Sequence, residues 1–131
     1  MKREEIFEKY SLVFSKDPMQ PIVLFGLEIG DGWLPIIENF CVLLYRRINN
    51  IRGTIKYYES KGWSEKITAL KKEEEEEIEK LPKIEQVKEK FGTLHIYTSH
   101  LNPYVDGVID MAEALSEHIC EECGKIGRAH V

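Results

Sequence analysis

Near the start of the chain, apolar residues return at helical spacing. Ile6, Tyr10, Val13 and Phe14 fall at i, i+4, i+7 and i+8 and make a single stripe. The spacing predicts a helix over 3–15, stopped by Asp17-Pro18. The next run, PIVLFGLEIGDGW, is punctuated by Pro21 and three glycines. It predicts a short extended strand at 22–25 and then a structured loop, with Asp31 as the N-cap of the second helix. A second, longer stripe is built from Trp33, Ile36, Ile37, Phe40, Leu44, Ile48, Ile51 and Ile55. It predicts a helix from 33 to about 58, with Pro35 harmless in its first turn and Gly62 as its end. Gly53 inside this helix is expected to loosen it.

A third helix is predicted over 64–80, where KKEEEEEIEK is the most polar stretch of the chain. Two readings of that stretch stand, a solvated helix face and an acidic functional patch. Pro82 closes it, and the period then changes from helical to alternating. IEQVKEKFGTLHIYTS predicts a β-hairpin with strands at 84–90 and 93–98 about Gly92. An isolated hairpin is marginal, so it must pack on the helices or extend the 22–25 segment. Val105, Val108, Ile109, Ala112, Leu115 and Ile119 predict a last helix over about 103–118. The fold class expected is α+β, with helices packed on a small antiparallel sheet. Residues 1–119 form one domain with a helical insertion at 55–80, and residues 120–131 form a remnant of a zinc element plus a tail.

Composition narrows the function classes. The 131 residues carry a net charge of −5. Proteins that grip nucleic-acid backbones usually carry a basic surplus, so general DNA or RNA binding is disfavoured, while a local site for a small anion is not. No apolar run approaches the ~20 residues of a membrane span. The charged start MKREEIFEKY has no signal-peptide core, so a cytoplasmic protein is expected. Three cysteines, an odd number, argue against a disulfide framework.

The candidate chemistry sits in three places. Cys120-Glu121-Glu122-Cys123-Gly124 has the form of a zinc knuckle, two thiolates and a glycine that turns the backbone. One knuckle supplies two of four ligands, and neither His118 nor Cys41 has ligand spacing. A redox reading of the same pair lacks a thioredoxin-like βαβ context. The loop Gly26–Trp33 opens a helix and reads either as a tight turn, with Asp31 as cap and Trp33 as core anchor, or as an anion site at a helix N-terminus. It has no Walker or dinucleotide fingerprint. On the hairpin, Lys88 and Lys90 share a strand face and are joined by Phe91, His95 and Tyr97. Such a set holds a phosphate and stacks a base, or is an ordinary solvated strand face. Cys41 is expected to be a buried, inert thiol. No Ser-His-Asp set, HExxH or paired carboxylates can be argued from spacing, so enzyme activity has no positive support.

The final six residues, IGRAHV, match the translation of a common sequencing-library adapter up to its stop codon. They are expected to be foreign to the natural chain, so Arg128 and His130 carry no functional argument. Without Arg128 the net charge of −5 becomes −6.

Three segments, GLEIGDGWLPIIENFC, IEQVKEKFGTLHIY and AEALSEHICEECGK, together resemble a small family of phage and prophage proteins. The resemblance covers about residues 24–48 and 84–124 and skips 55–80. It places Asp31, Trp33, Lys88, Lys90, Phe91, Cys120 and Cys123 at family-like positions. It departs at His95, where arginine is expected. It implies a second cysteine or histidine pair after the knuckle, and hence zinc in the full-length protein. The function expected is a non-enzymatic, phage-derived anti-defence protein acting in the bacterial cytoplasm, with a small nucleotide immune signal or a host defence protein as partner and self-association left open. The alternative is a zinc-ribbon adaptor for nucleic acid or a host protein.

Overall fold

A computed structural model of the chain describes residues 1–100 and 102–127, so the expectations for Arg128 and His130 lie outside the described residues. The fold is α+β, with helices packed on a small three-stranded sheet. The opening stripe is buried as expected, with Ile6, Tyr10, Val13 and Phe14 at most 3% exposed. The helix over 3–15 is broken, however. α1 spans Arg3–Lys9, and Ser11–Val13 form a separate 3₁₀ turn. Tyr10 leaves helical geometry between them, and the Leu12 N–H donates to the Tyr45 hydroxyl at 2.9 Å.

The predicted strand at 22–25 is a helix, α2, over Pro21–Phe25. Pro21 occupies its first turn and only Ile22 is buried. The extended pieces lie on either side of it. Phe14 bridges to Ile84 in parallel, and β1 (Leu27–Glu28) pairs in parallel with β2 (Ile84–Lys90) through Leu27↔Val87 and Glu28↔Lys88. β3 (Thr93–Thr98) completes an antiparallel hairpin with β2, at the bounds the alternation predicts. The sheet is therefore mixed, in the order β1-β2-β3. One of its faces, Ile84, Val87, Leu94 and Ile96, enters the core with Trp33, Ile37 and Phe40. The other face carries Lys88, Lys90, His95 and Tyr97 by the two-residue period of a strand.

Both edges of this sheet are blunted by side chains. At the β1 edge the Arg3 guanidinium donates to the Leu27 carbonyl at 2.7 Å and to the Ile29 carbonyl at 2.5 Å. At the β3 edge the Leu94 N–H donates to Ser116 Oγ at 3.0 Å and the Ile96 N–H to Glu113 at 3.2 Å. Unpaired strand edges template association, and here neither presents a free ladder.

α3 runs Leu34–Lys61, about 42 Å at 1.5 Å per residue, and ends on Gly62 in the left-handed region. α4 spans Ser64–Lys80 and buries no residue fully. Its acidic run is more than a solvated face. Glu73 and Glu77 reach Arg47 at 3.2 and 2.9 Å, and Glu74 reaches Arg52 at 2.6 Å. α5 spans Pro103–Ser116, capped by Asn102, whose side chain accepts from the Val105 N–H. It stops two residues short of the predicted end. Leu115, expected in its core stripe, is 44% exposed, while Ser116 is fully buried at the sheet edge.

Candidate functional site

The glycine loop and the cysteine knuckle, some ninety residues apart in sequence, are one structure. The Gly30 N–H donates to the Glu121 carboxylate at 2.8 Å, and the Gly32 N–H donates to the Glu121 carbonyl at 2.6 Å. The Trp33 indole donates to the Ile119 carbonyl at 2.8 Å. A Cβ at Gly32 would lie 2.5 Å from the Gly124 nitrogen and 2.6 Å from the Glu121 carbonyl, closer than side-chain carbons come. Both glycines are thus there for close backbone approach. The amides that made the loop a candidate anion site are spent on the knuckle.

Asp31 does not cap α3. The loop forms a 3₁₀ turn over Asp31–Trp33 with no side-chain cap. The Asp31 carboxylate instead pairs with Arg3 at 2.9 Å, at a recess shared with Lys2, Glu4 and Pro35. Trp33 is the core anchor expected, 1% exposed. Neither residue joins the hairpin set at a common surface.

The knuckle is a formed turn. The Gly124 N–H donates to the Cys120 carbonyl at 2.8 Å, the Cys120 N–H donates to the Lys125 carbonyl at 2.9 Å, and Ile119 bridges Ile126. Cys120 is buried and Cys123 exposed. These two thiolates would supply half of a tetrahedral zinc site. Among the described residues no group of three or more histidine, cysteine, aspartate or glutamate side chains is placed to hold a metal. Cys41 sits elsewhere in the core, where burial first and Glu38 second push its thiol up to about 12. It is neutral and inert at physiological pH.

The hairpin residues do come together. Lys88 lies opposite His95 and Gln86 opposite Tyr97. The Lys88 ammonium stands 5.6 Å above the Tyr97 ring, and the His95 and Tyr97 rings are 15° from parallel at 6.4 Å. Tyr97 is 42% exposed. At the hairpin tip the Lys90 ammonium stands 5.7 Å from the Phe91 ring, which is 94% exposed. Phe91 is the one non-glycine at positive φ among the described residues, 55°, followed by Gly92 at 82°. Two successive positive φ values are those of a type I′ hairpin turn, whose preferred sequence is Asn-Gly. A large apolar ring thus occupies a strained, solvent-facing position where a small polar residue would sit more comfortably.

Several working residues had no signal in the sequence. Arg3, Glu113, Ser116 and Glu121 act across long sequence separations as edge caps and loop clamps, and their own neighbours show no motif.

No family model, curated protein or solved structure matches the chain.

Proposed function

We propose that the chain is a non-enzymatic binding protein of phage origin that counters host defence by holding a small nucleotide signal on the solvent face of its sheet. The observation that carries this reading is the set of Lys88, His95 and Tyr97, a cation over the Tyr97 ring with the His95 ring lying near-parallel beside it. Near-parallel rings accept a base by stacking, at about 1–3 kcal/mol per base, and lysines meet its phosphates. Phe91, exposed beside Lys90, extends the same chemistry to the hairpin tip. The phage setting rests on the sequence resemblance.

Calorimetric titration with cyclic di- and trinucleotides and cyclic ADP-ribose variants tests the reading. At least one is expected to give saturable heat, weakened about tenfold or more by Lys88→Glu or Tyr97→Ala, the energy of one stacked base or charge-assisted contact. Silence from all of them removes the proposal.

A second reading, a zinc-ribbon adaptor for nucleic acid or a host protein, is favoured by one observation, the docking of a formed Cys120–Gly124 knuckle onto Gly30 and Gly32. Under it the full-length protein carries zinc, with the remaining ligands coming from the second cysteine or histidine pair that the resemblance implies. Stoichiometric zinc in the full-length protein together with nucleic-acid binding in low salt would support it, and a metal-free full-length protein would end it.

A further inference from the structure

A cleft of about 490 Å³ opens between α3, the end of α4 and the start of α5, away from the hairpin. Its volume lies in the range of small-molecule sites, roughly 300–1,000 Å³. The walls are apolar, built from Leu44, Leu81, Pro82 and Val105. The Tyr104 ring stands at the cleft, its hydroxyl donating to the Leu43 carbonyl at 3.3 Å.

Charge at the cleft runs against that of the whole chain. Arg46, Arg47 and Lys80 line it against the single carboxylate of Glu77, three cations to one anion, in a protein of net charge −5. Arg47 is engaged by Glu73 and Glu77. Lys80 is 3.9 Å from Glu77, the outer limit of an ion pair. Arg46 is in no ion pair among the described residues. Arg46, in no such pair, and Lys80, held only at the limit of Glu77's reach, therefore stand beside an apolar floor, and Asn50 lines the same cleft.

We propose that this cleft is a second binding site, for a small amphipathic anion of the organic phosphate class. The apolar or aromatic body lies along Leu81, Val105 and the Tyr104 ring. The phosphate meets Arg46 and Lys80, where charge-assisted hydrogen bonds are strongest. The site is independent of the sheet face, since no hairpin residue lines it.

Titration of isotope-labelled protein with naphthyl phosphate, followed by amide chemical shifts, tests the site. Saturable shifts are expected along 43–50 and 102–105. Arg46→Glu is expected to weaken binding about tenfold or more, and Lys80→Glu likewise, as loss of one charge-assisted contact implies. Both side chains are exposed, so these variants should keep the fold. Lys88→Glu is expected to leave the affinity unchanged, which separates this site from the sheet face. Neutral naphthol is expected to bind about tenfold more weakly. No saturable shifts, shifts confined to the hairpin, or equal affinity in Arg46→Glu and the parent protein would each overturn the proposal.

Discussion

Phe91 is the residue at which local stability and exposed chemistry pull apart. At φ 55° its backbone holds a conformation that side chains with a Cβ rarely adopt, and its ring is 94% exposed. A left-handed non-glycine residue costs about 1–3 kcal/mol, with asparagine among the cheapest occupants. Phe91→Asn is therefore expected to stabilise the protein by about 1 kcal/mol, raising the melting temperature by about 4 °C in a domain of this size. Under the proposed function the same change weakens nucleotide binding. A thermal melt showing Phe91→Asn to be destabilising would mean that the ring packs rather than recognises.

Cys41 governs the alkaline limit. Its thiol is pushed from 9.0 to about 12, so the unfolded chain loses this proton at lower pH than the folded protein does. The stabilisation is complete below pH 9 and is lost as pH rises toward 12. The slope is about 1.4 kcal/mol per pH unit. Tyr45, raised chiefly by burial, adds in the same sense. Lys83, lowered by burial and then by Lys16, acts in the opposite sense. Urea unfolding across this window should show the fall, and Cys41→Ala should flatten it. An unchanged slope in that variant would show that the thiol is not the group responsible.

At the scale of elements, the long periodic segments were legible. α3, α4 and the β2–β3 hairpin follow directly from stripe, punctuation and alternation. The segment around α2 was not. PIVLF is apolar and β-branched enough for a strand, but Pro21 starts a turn of helix, and pairing with β2 is passed to Phe14 and to Leu27–Glu28 on either side. Short apolar runs are ambiguous between strand and helix, because what decides them is which neighbour remains unpaired.

Two glycines make the contrast between element and contact testable. Gly53 lies inside α3, and a methyl carbon added there would meet nothing within 4 Å beyond its chain neighbours and the backbone of its own helix, so Gly53→Ala is expected to stabilise by about 0.5–1 kcal/mol. Gly32→Ala would drive its Cβ into the Cys120–Gly124 backbone and is expected to cost about 2–3 kcal/mol. Denaturant midpoints of the two variants should move in opposite directions. Equal and small shifts would mean that the loop and the knuckle are not clasped.

At the scale of the whole molecule, the candidate site was legible in part. Lys88, Lys90, His95 and Tyr97 were readable because strand alternation alone assigns a face, while Phe91 lies in the turn between the strands. Asp31 and Trp33 were drawn toward the same site by the look of a glycine-rich loop, yet their partners are Arg3 and the Ile119 carbonyl. Contacts that span most of the chain leave no local pattern. Among the described residues no helix is long and apolar enough to cross a membrane. Side chains blunt both sheet edges, so the sheet offers a partner its outer face rather than a strand to pair with.

On that face the proposed function stands or falls, and amide shift mapping with a cyclic dinucleotide reads it residue by residue. The largest saturable changes are expected at Lys88, Lys90, His95 and Tyr97, and they should be lost in Lys88→Glu. Changes absent from these positions, or unaffected by that substitution, would contradict nucleotide recognition by the sheet.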